Sequence, residues 1–372
     1  VRHSWRIAKV FGIDIKIDSS WIIIFILFTW VLSANYFPQR FQDWSHGLYW
    51  IIGIITSLLI FASVLVHELA HSLVALKQGE KVRSITLFLL GGVAQITEEP
   101  KLPMREFTMA LVGPMTSFLI AFLFLILSFI LRGISEPLWA SASYLAMINT
   151  VLAIFNLFPG FPMDGGRVLR SIIWKVTGNL KKATKIASMV GQGFAFFLIF
   201  IGILQILGAN LLQGIWLIII GWFLHSAAVR GYDHVMVQSL LKGVRAEDLM
   251  TKNFETVTAD LSVQSLVDDY ILKKRERVFL VSDKGSLKGI VCLEDVKSTP
   301  SEKWAETKVG EIMTPKEKLE AVSPDADGSQ VLNSITTKDI HQIPVMEGDK
   351  IAGIICRSDI LRFIQLRSEL GV

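Results

Sequence analysis

The chain is 372 residues long, with 52% hydrophobic, 19% charged and 10% aromatic residues and a net charge of +4. Ordinary soluble domains run about 45–50% apolar and about 25% charged, which excludes a uniformly soluble enzyme, a disordered tail and a collagen-like fibre. The apolar excess is uneven. Residues 1–235 carry 18 bases, 11 acids and nine of the ten tryptophans, whereas residues 236–372 carry 19 bases and 22 acids. The first part, at +7, reads as a membrane domain and the second, at −3, as a soluble one. The positive charge is small and confined to loops, so no nucleic-acid partner is expected. Cys292 and Cys356 both fall in the soluble part, too few for a disulfide framework and consistent with a reducing compartment.

In chain order, residues 1–20 mix Arg2, Arg6 and Lys9 with an alternating run from Phe11 to Asp18, ahead of the first apolar stretch. More apolar stretches follow, so the first is read as a retained span and not as a cleaved signal. A spanning helix needs about 20 apolar residues, and six candidates lie at about 19–37, 50–77, 107–131, 138–158, 187–208 and 211–230. The last two are separated by Gly208-Ala209-Asn210 and must form a tight antiparallel hairpin. Basic residues orient the bundle. The N-terminal arm holds Arg2, Arg6, Lys9 and Lys16, and the loop after the second span holds Lys81, Arg83, Lys101 and Arg105. The loop after the fourth holds Arg167, Arg170, Lys175, Lys181, Lys182 and Lys185, while the alternate loops hold only Arg40, Arg132 and none. The expectation is a multi-pass protein of the cell membrane with both termini cytoplasmic. Trp21, Trp50, Trp139 and Trp216, near span ends, fit an interfacial belt.

Two connections are unusual. Residues 82–96 are apolar and strand-like, broken at Gly91-Gly92, and read as a β-hairpin or re-entrant segment buried against the bundle. Non-helical backbone at that depth is tolerated where protein or a wet cavity satisfies it. Pro159-Gly160-Phe161-Pro162 ends the fourth helix, since proline cannot continue one.

The second span contains His67-Glu68-Leu69-Ala70-His71. Ionisable side chains inside a span are costly and functional by default. Spacing of four puts both imidazoles on one helical face, able to grip one metal, with Glu68 beside them to take a proton from water. The alternative is a pair of buried histidines satisfied by backbone, with Glu68 as their partner. Catalytic zinc sites use three protein ligands, and Asp164, in Pro162-Met163-Asp164-Gly165-Gly166, is the candidate third. An Asp-Gly turn is its other reading. Asn156 either caps a helix end or hydrogen-bonds substrate backbone or a developing oxyanion. Glu68 lies nine residues before Lys77, roughly 13 Å inside the cytoplasmic end at about 1.5 Å per residue. A substrate helix must therefore unwind to be cut there, and the 82–96 segment could hold it by β-addition.

These residues resemble the site-2 protease family, membrane-embedded zinc metalloproteases that cut transmembrane segments of regulatory proteins. The likeness rests on His67-Glu68-Leu69-Ala70-His71, on Asn156-Leu157-Phe158-Pro159 leading to Asp164-Gly165, and on Gly91-Gly92 and Gly113-Pro114, and covers residues 1 to about 230. It implies His67, His71 and Asp164 as ligands of one zinc ion, Glu68 as general base and Asn156 as a substrate-positioning residue. Relatives often carry asparagine where Ser117 stands, and Ser117 is given no role.

The tail repeats at about 64 residues. Ala246–Met250 aligns with Gly310–Met313, Val278–Val281 with Ile343–Met346, and Gly289–Asp295 with Gly353–Asp359. Each unit, about 244–300 and 307–368, reads strand–helix–strand–strand–helix, with amphipathic stretches at 261–274 and 328–338. The repeat resembles a tandem pair of CBS domains, an α/β fold that often binds adenine nucleotides such as ATP and often forms homodimers. The resemblance places Asp295 and Asp359 at the ribose, but Cys292 and Cys356 stand where a phosphate-facing hydroxyl is usual. An empty dimerisation module is the other reading.

The expectation is an α-helical polytopic domain over 1–235 and a cytoplasmic CBS pair over 236–372. Its function is hydrolysis of a peptide bond in or near a transmembrane segment of a membrane-tethered regulator. A CBS-gated transporter or channel is the competing reading. A catalytically inert scaffold is disfavoured, because every named ligand is present.

Overall fold

The computed structural model describes residues 4–89, 91–96, 102–252, 254–274, 276–283, 286–337, 340, 342–348 and 350–370. Arg2 and Lys101, two of the bases used for orientation, lie outside the described residues. The chain divides into two compact units, Val1–Val235 and Met236–Val372.

The first unit opens with a hairpin, β1 (Ser4–Val10) and β2 (Ile13–Asp18), turned at Phe11-Gly12 with both residues at positive φ. Asp18 then caps α1 (Ser19–Val31), its carboxylate accepting from the Ser20 N–H. A wide helical turn, Leu32–Tyr36, joins α1 to α2 (Phe37–Arg40). Next come α3 (His46–Lys77), the hairpin β3 (Val82–Phe88) and β4 (Gly91–Ile96), α4 (Pro103–Leu131) and α5 (Glu136–Asn156). After them follow α6 (Asp164–Thr177), α7 (Leu180–Leu207) and α8 (Leu211–Leu241). Among the described residues six helical stretches have the length and apolarity to cross a membrane: Ser19–Arg40, α3, α4, α5, α7 and α8. Their outward faces carry large apolar side chains such as Phe122, Phe129, Phe197 and Trp222, as lipid contact requires.

The structure corrects the sequence reading in three places. The fifth span begins at Leu180, seven residues before the expected start, and the sixth continues to Leu241. The stretch after the fourth span, residues 157–163, is a run of turns and bends. Asp164 then starts a 14-residue helix that the double glycine conceals in sequence. The N-terminal arm is also more than a lead-in, because β2 pairs in parallel with β3 and makes one sheet in the order β1-β2-β3-β4. Ile13, Val82 and Ile85 bury one face of this sheet against Ala75 and Met109. The 82–96 segment is thus held by protein on one face, with β4 at the edge of the sheet.

Inside the bundle, polar contacts tie α3 to α5 at two levels. Thr56 Oγ1 and Ser141 Oγ lie 2.7 Å apart, and Asn149 Nδ2 donates to Ser63 Oγ at 3.3 Å. Helices α7 and α8 meet through glycines, as small residues permit in membranes. A Cβ on Gly202 would lie 2.8 Å from the Gly214 carbonyl oxygen, and one on Gly214 would lie 2.5 Å from the Gly202 carbonyl oxygen.

In the second unit the sequence repeats exchange their leading segments. The first sheet runs β5 (Thr256–Val257), β6 (Val278–Asp283), β7 (Ser286–Cys292) and β8 (Thr314–Pro315), so its last strand comes from the start of the second repeat. Reciprocally, Thr251 of the first repeat bridges to Ile354 of β10 (Lys350–Cys356), which pairs with β9 (Gln342–Glu347). Cores follow the same exchange. Ala246 and Leu249 pack with Val331, Ile343 and Ile360, while Val309 packs with Val263, Phe279 and Val291.

The glycine seam gives a stability prediction. Gly202→Leu forces two backbones apart and should destabilise the purified protein by about 1–3 kcal/mol. A fall in the thermal midpoint measures it, and an unchanged midpoint would contradict the packing.

Candidate metal centre

Helix α3 carries His67 and His71 one turn apart, both about 5% exposed. Asp164 reaches them from the first turn of α6, where a carboxylate also sits favourably against the helix dipole. The two Nε2 atoms are 3.2 Å apart, and Asp164 Oδ2 lies 3.2 Å from each. Four ligands held about 2.0–2.1 Å from a zinc ion in a tetrahedron stand ~3.3 Å from one another. The three atoms therefore trace one face of such a tetrahedron, which leaves the fourth corner for water or substrate. Two imidazoles and a carboxylate form a borderline-soft donor set that suits zinc.

The far sides of both rings are occupied. His71 Nδ1 lies 2.6 Å from the Met109 carbonyl oxygen and donates to it, which leaves the lone pair on Nε2. His67 Nδ1 lies 2.8 Å from Ser117 Oγ, which fits the same tautomer. Both partners are on α4. Pro114 interrupts this helix, removing an N–H and opening the preceding turn, where the Met109 carbonyl is found.

Close approach explains the glycines. A Cβ on Gly113 would stand 2.1 Å from His71 Nε2 and 2.7 Å from His67 Nε2, inside the space an ion needs. One on Gly92, in β4, would stand 2.5 Å from Glu68 Cγ, so the edge strand passes directly beside the glutamate. One on Gly165 would stand 2.2 Å from the Leu157 carbonyl oxygen, and one on Gly166 would stand 2.3 Å from the Gly160 carbonyl carbon. The double glycine thus lets α6 start against the broken end of α5.

The structure therefore brings together His67, His71 and Asp164. Glu68 follows His67 on α3 and faces β4. Asn156 is the last residue of α5 and is half-buried. The sequence reading missed Ser117, Met109 and Gly113 as supports. Gly113 was named there only as part of the Gly113-Pro114 motif, and Ser117 only as a position given no role.

In the second unit the Asp295 carboxylate accepts from the Cys292 N–H at 2.8 Å, and Asp359 accepts from the Cys356 N–H at 2.9 Å. Each caps its own helix, α9 (Leu293–Lys297) or α10 (Arg357–Leu370). A cleft of about 240 Å³ lies between the repeats, with Arg277, Glu294, Gln342 and Arg357 among its lining residues and neither aspartate among them. Burial, reinforced by Asp295, pushes the Cys292 thiol up to about 11. Burial and the Asp359 charge push Cys356 up to about 12. Both thiols therefore stay protonated at neutral pH.

Comparison with known proteins matches this arrangement. Residues 55–143 and 134–200 fit the model of peptidase family M50, and residues 246–301 and 309–366 each fit that of the CBS domain. A Synechocystis protein, provisionally named a zinc metalloprotease, is 36% identical over 98% of this chain and 96% of its own length. A zinc metalloprotease of Methanocaldococcus jannaschii is 32% identical over 100% of this chain and 99% of its own. The solved site-2 protease of M. jannaschii is 30% identical, covering 62% of this chain and 95% of that one with a TM-score of 0.43. The chain belongs to peptidase family M50: it is a multi-pass zinc metalloprotease of the site-2 type that carries two CBS domains.

Two outcomes follow from the supports. Ser117→Ala should leave the fold intact and weaken zinc binding about 10–100-fold, the usual cost of losing such a partner. Competition with a chromophoric chelator measures it. Gly113→Ala should abolish zinc binding, and a stoichiometric zinc content would refute the steric account.

Proposed function

We propose that His67, His71 and Asp164 hold one zinc ion and that Glu68 is the general base of peptide hydrolysis within the membrane. The 3.2 Å triangle of donor atoms carries this reading. A bound zinc ion would supply Lewis acidity to the scissile carbonyl and to the attacking water. Glu68 takes the proton of that water and hands it to the leaving amine. Asn156, at the end of α5, hydrogen-bonds the substrate backbone or the developing oxyanion. The substrate is a transmembrane segment of a membrane-tethered regulatory protein, and cleavage releases the regulator. Because a helical substrate has its amides satisfied internally, it unwinds and adds to the sheet at β4, beside Glu68. The edge position of β4 supports this docking.

Glu68→Gln should retain zinc and lose cleavage of a candidate tethered substrate, whereas His67→Phe and Asp164→Asn should lose both. An unchanged rate in the glutamine variant would remove Glu68 from the mechanism. Val93→Pro, in β4, should impair cleavage without releasing zinc, and equal loss of both would refute the docking role.

The proposal extends to the second unit, residues 236–372, as a cytoplasmic module that binds an adenine nucleotide such as ATP and pairs with a second copy. Asp295 and Asp359 are the candidate ribose contacts: each has one carboxylate oxygen, Oδ2, engaged as a helix cap, and Oδ1 is the atom a ribose hydroxyl would meet. Calorimetric titration of the full chain with ATP tests it: heat of binding is expected, and none at millimolar ATP would leave a dimerisation module. The distribution of basic residues supports cytoplasmic placement of both termini.

A further inference from the structure

We propose that the buried Glu106–Arg170 ion pair is a positioning device that sets Asp164 against the two imidazoles. The proposal rests on the reading of Asp164 as a metal ligand. Arg170 Nε donates to Glu106 Oε1 at 2.7 Å, and Nη2 donates to the same oxygen. The side chains are 4% and 0% exposed. The guanidinium also lies over the Phe161 ring, 5.2 Å from its centroid, just ahead of Asp164 in the chain.

Such a pair is a poor way to gain stability. Each ion loses several kcal/mol of hydration on burial, and apolar residues of similar size often hold two elements equally well. Here Glu106 Oε2 finds no hydrogen-bond partner among the described residues, so the desolvation is not even fully offset. What a charged, directional contact provides, and apolar packing does not, is one register.

Its location says which register is set. Glu106 stands one turn before Met109 on α4, the helix that orients both imidazoles through Met109 and Ser117. Arg170 stands six residues after Asp164 on α6, roughly 9 Å along the axis. The pair thus locks the helix that orients the histidines to the helix that bears the carboxylate. A slip of one residue would carry Asp164 about 1.5 Å along α6, whereas a metal site tolerates about 0.2 Å in its ligand distances. Phe161, pressed against Arg170, extends the lock to the loop before Asp164, whose Phe161 N–H donates to the Ala187 carbonyl of α7 at 3.1 Å.

The test uses the full chain in detergent, with zinc affinity from chelator competition, the thermal midpoint, and kcat and KM on a tethered substrate. The double variant Glu106→Met with Arg170→Met removes both charges of the pair. It should keep a midpoint near that of the unaltered protein, lose zinc affinity about 10–100-fold, and lower kcat with KM little changed. Arg170→Lys, which keeps the charge but not the planar fork, should fall between the two. Unaltered zinc affinity in the double variant overturns the proposal. So does failure of both variants to fold, since the pair would then support the domain as a whole. Asp164→Asn separates the two readings. If it loses zinc while the double variant does not, only the positioning role fails; if it retains zinc, the ligand reading itself fails.

Discussion

The proposed metal centre requires three donor atoms from two helices to stand about one tetrahedral edge apart, at a depth where water and mobile side chains cannot correct errors. Most of the unusual features of the first unit serve that constraint. The imidazoles come from a 32-residue helix, long enough to cross the membrane and still place its reactive turn well inside. The carboxylate comes from a helix that starts where α5 breaks, and two glycines let those backbones touch. Helix α4 contributes no ligand, yet it orients both rings and keeps a bare Cα at position 113 where any side chain would fill the coordination space.

The four-stranded sheet meets the same constraint from the substrate side. Strands in a membrane need every backbone group satisfied, and the N-terminal hairpin supplies much of that by pairing β2 with β3. Of the two edge strands, β1 and β4, β4 carries the glycine that lies against Glu68. A sheet edge is normally a hazard to be covered; in the proposed mechanism the β4 edge, beside Glu68, is where an unwound substrate backbone would be received.

Much of this was legible in the chain. The six spans follow from apolar length, and the His67–His71 pair from the helical period, because both are local properties. Asp164 was reachable because few other carboxylates exist in the first 235 residues. Helix α6 was not, since Gly165-Gly166 and two prolines mask its start. Nor were Ser117 and Met109 as ring partners, because their roles depend on how α4 crosses α3. Parallel pairing of β2 with β3 joins residues 70 positions apart, such as Asp14 and Ser84, which no local pattern announces. In the tail the 64-residue period was visible, but it misled about the physical unit. Val309 belongs to the core of the repeat before it, and Ala246 to that of the repeat after it.

The two polar contacts between α3 and α5 carry a consequence for how this enzyme can vary. Thr56 and Ser63 are seven residues apart, about 10 Å of helix, and each is pinned to α5. A rod fastened at two heights cannot spin, and one residue's worth of spin is about 100°, enough to turn both imidazoles toward lipid. Inherited changes at Thr56 or Ser141, more than two helical turns from the nearest ligand, would therefore surface as a chemical defect and not as a mechanical one.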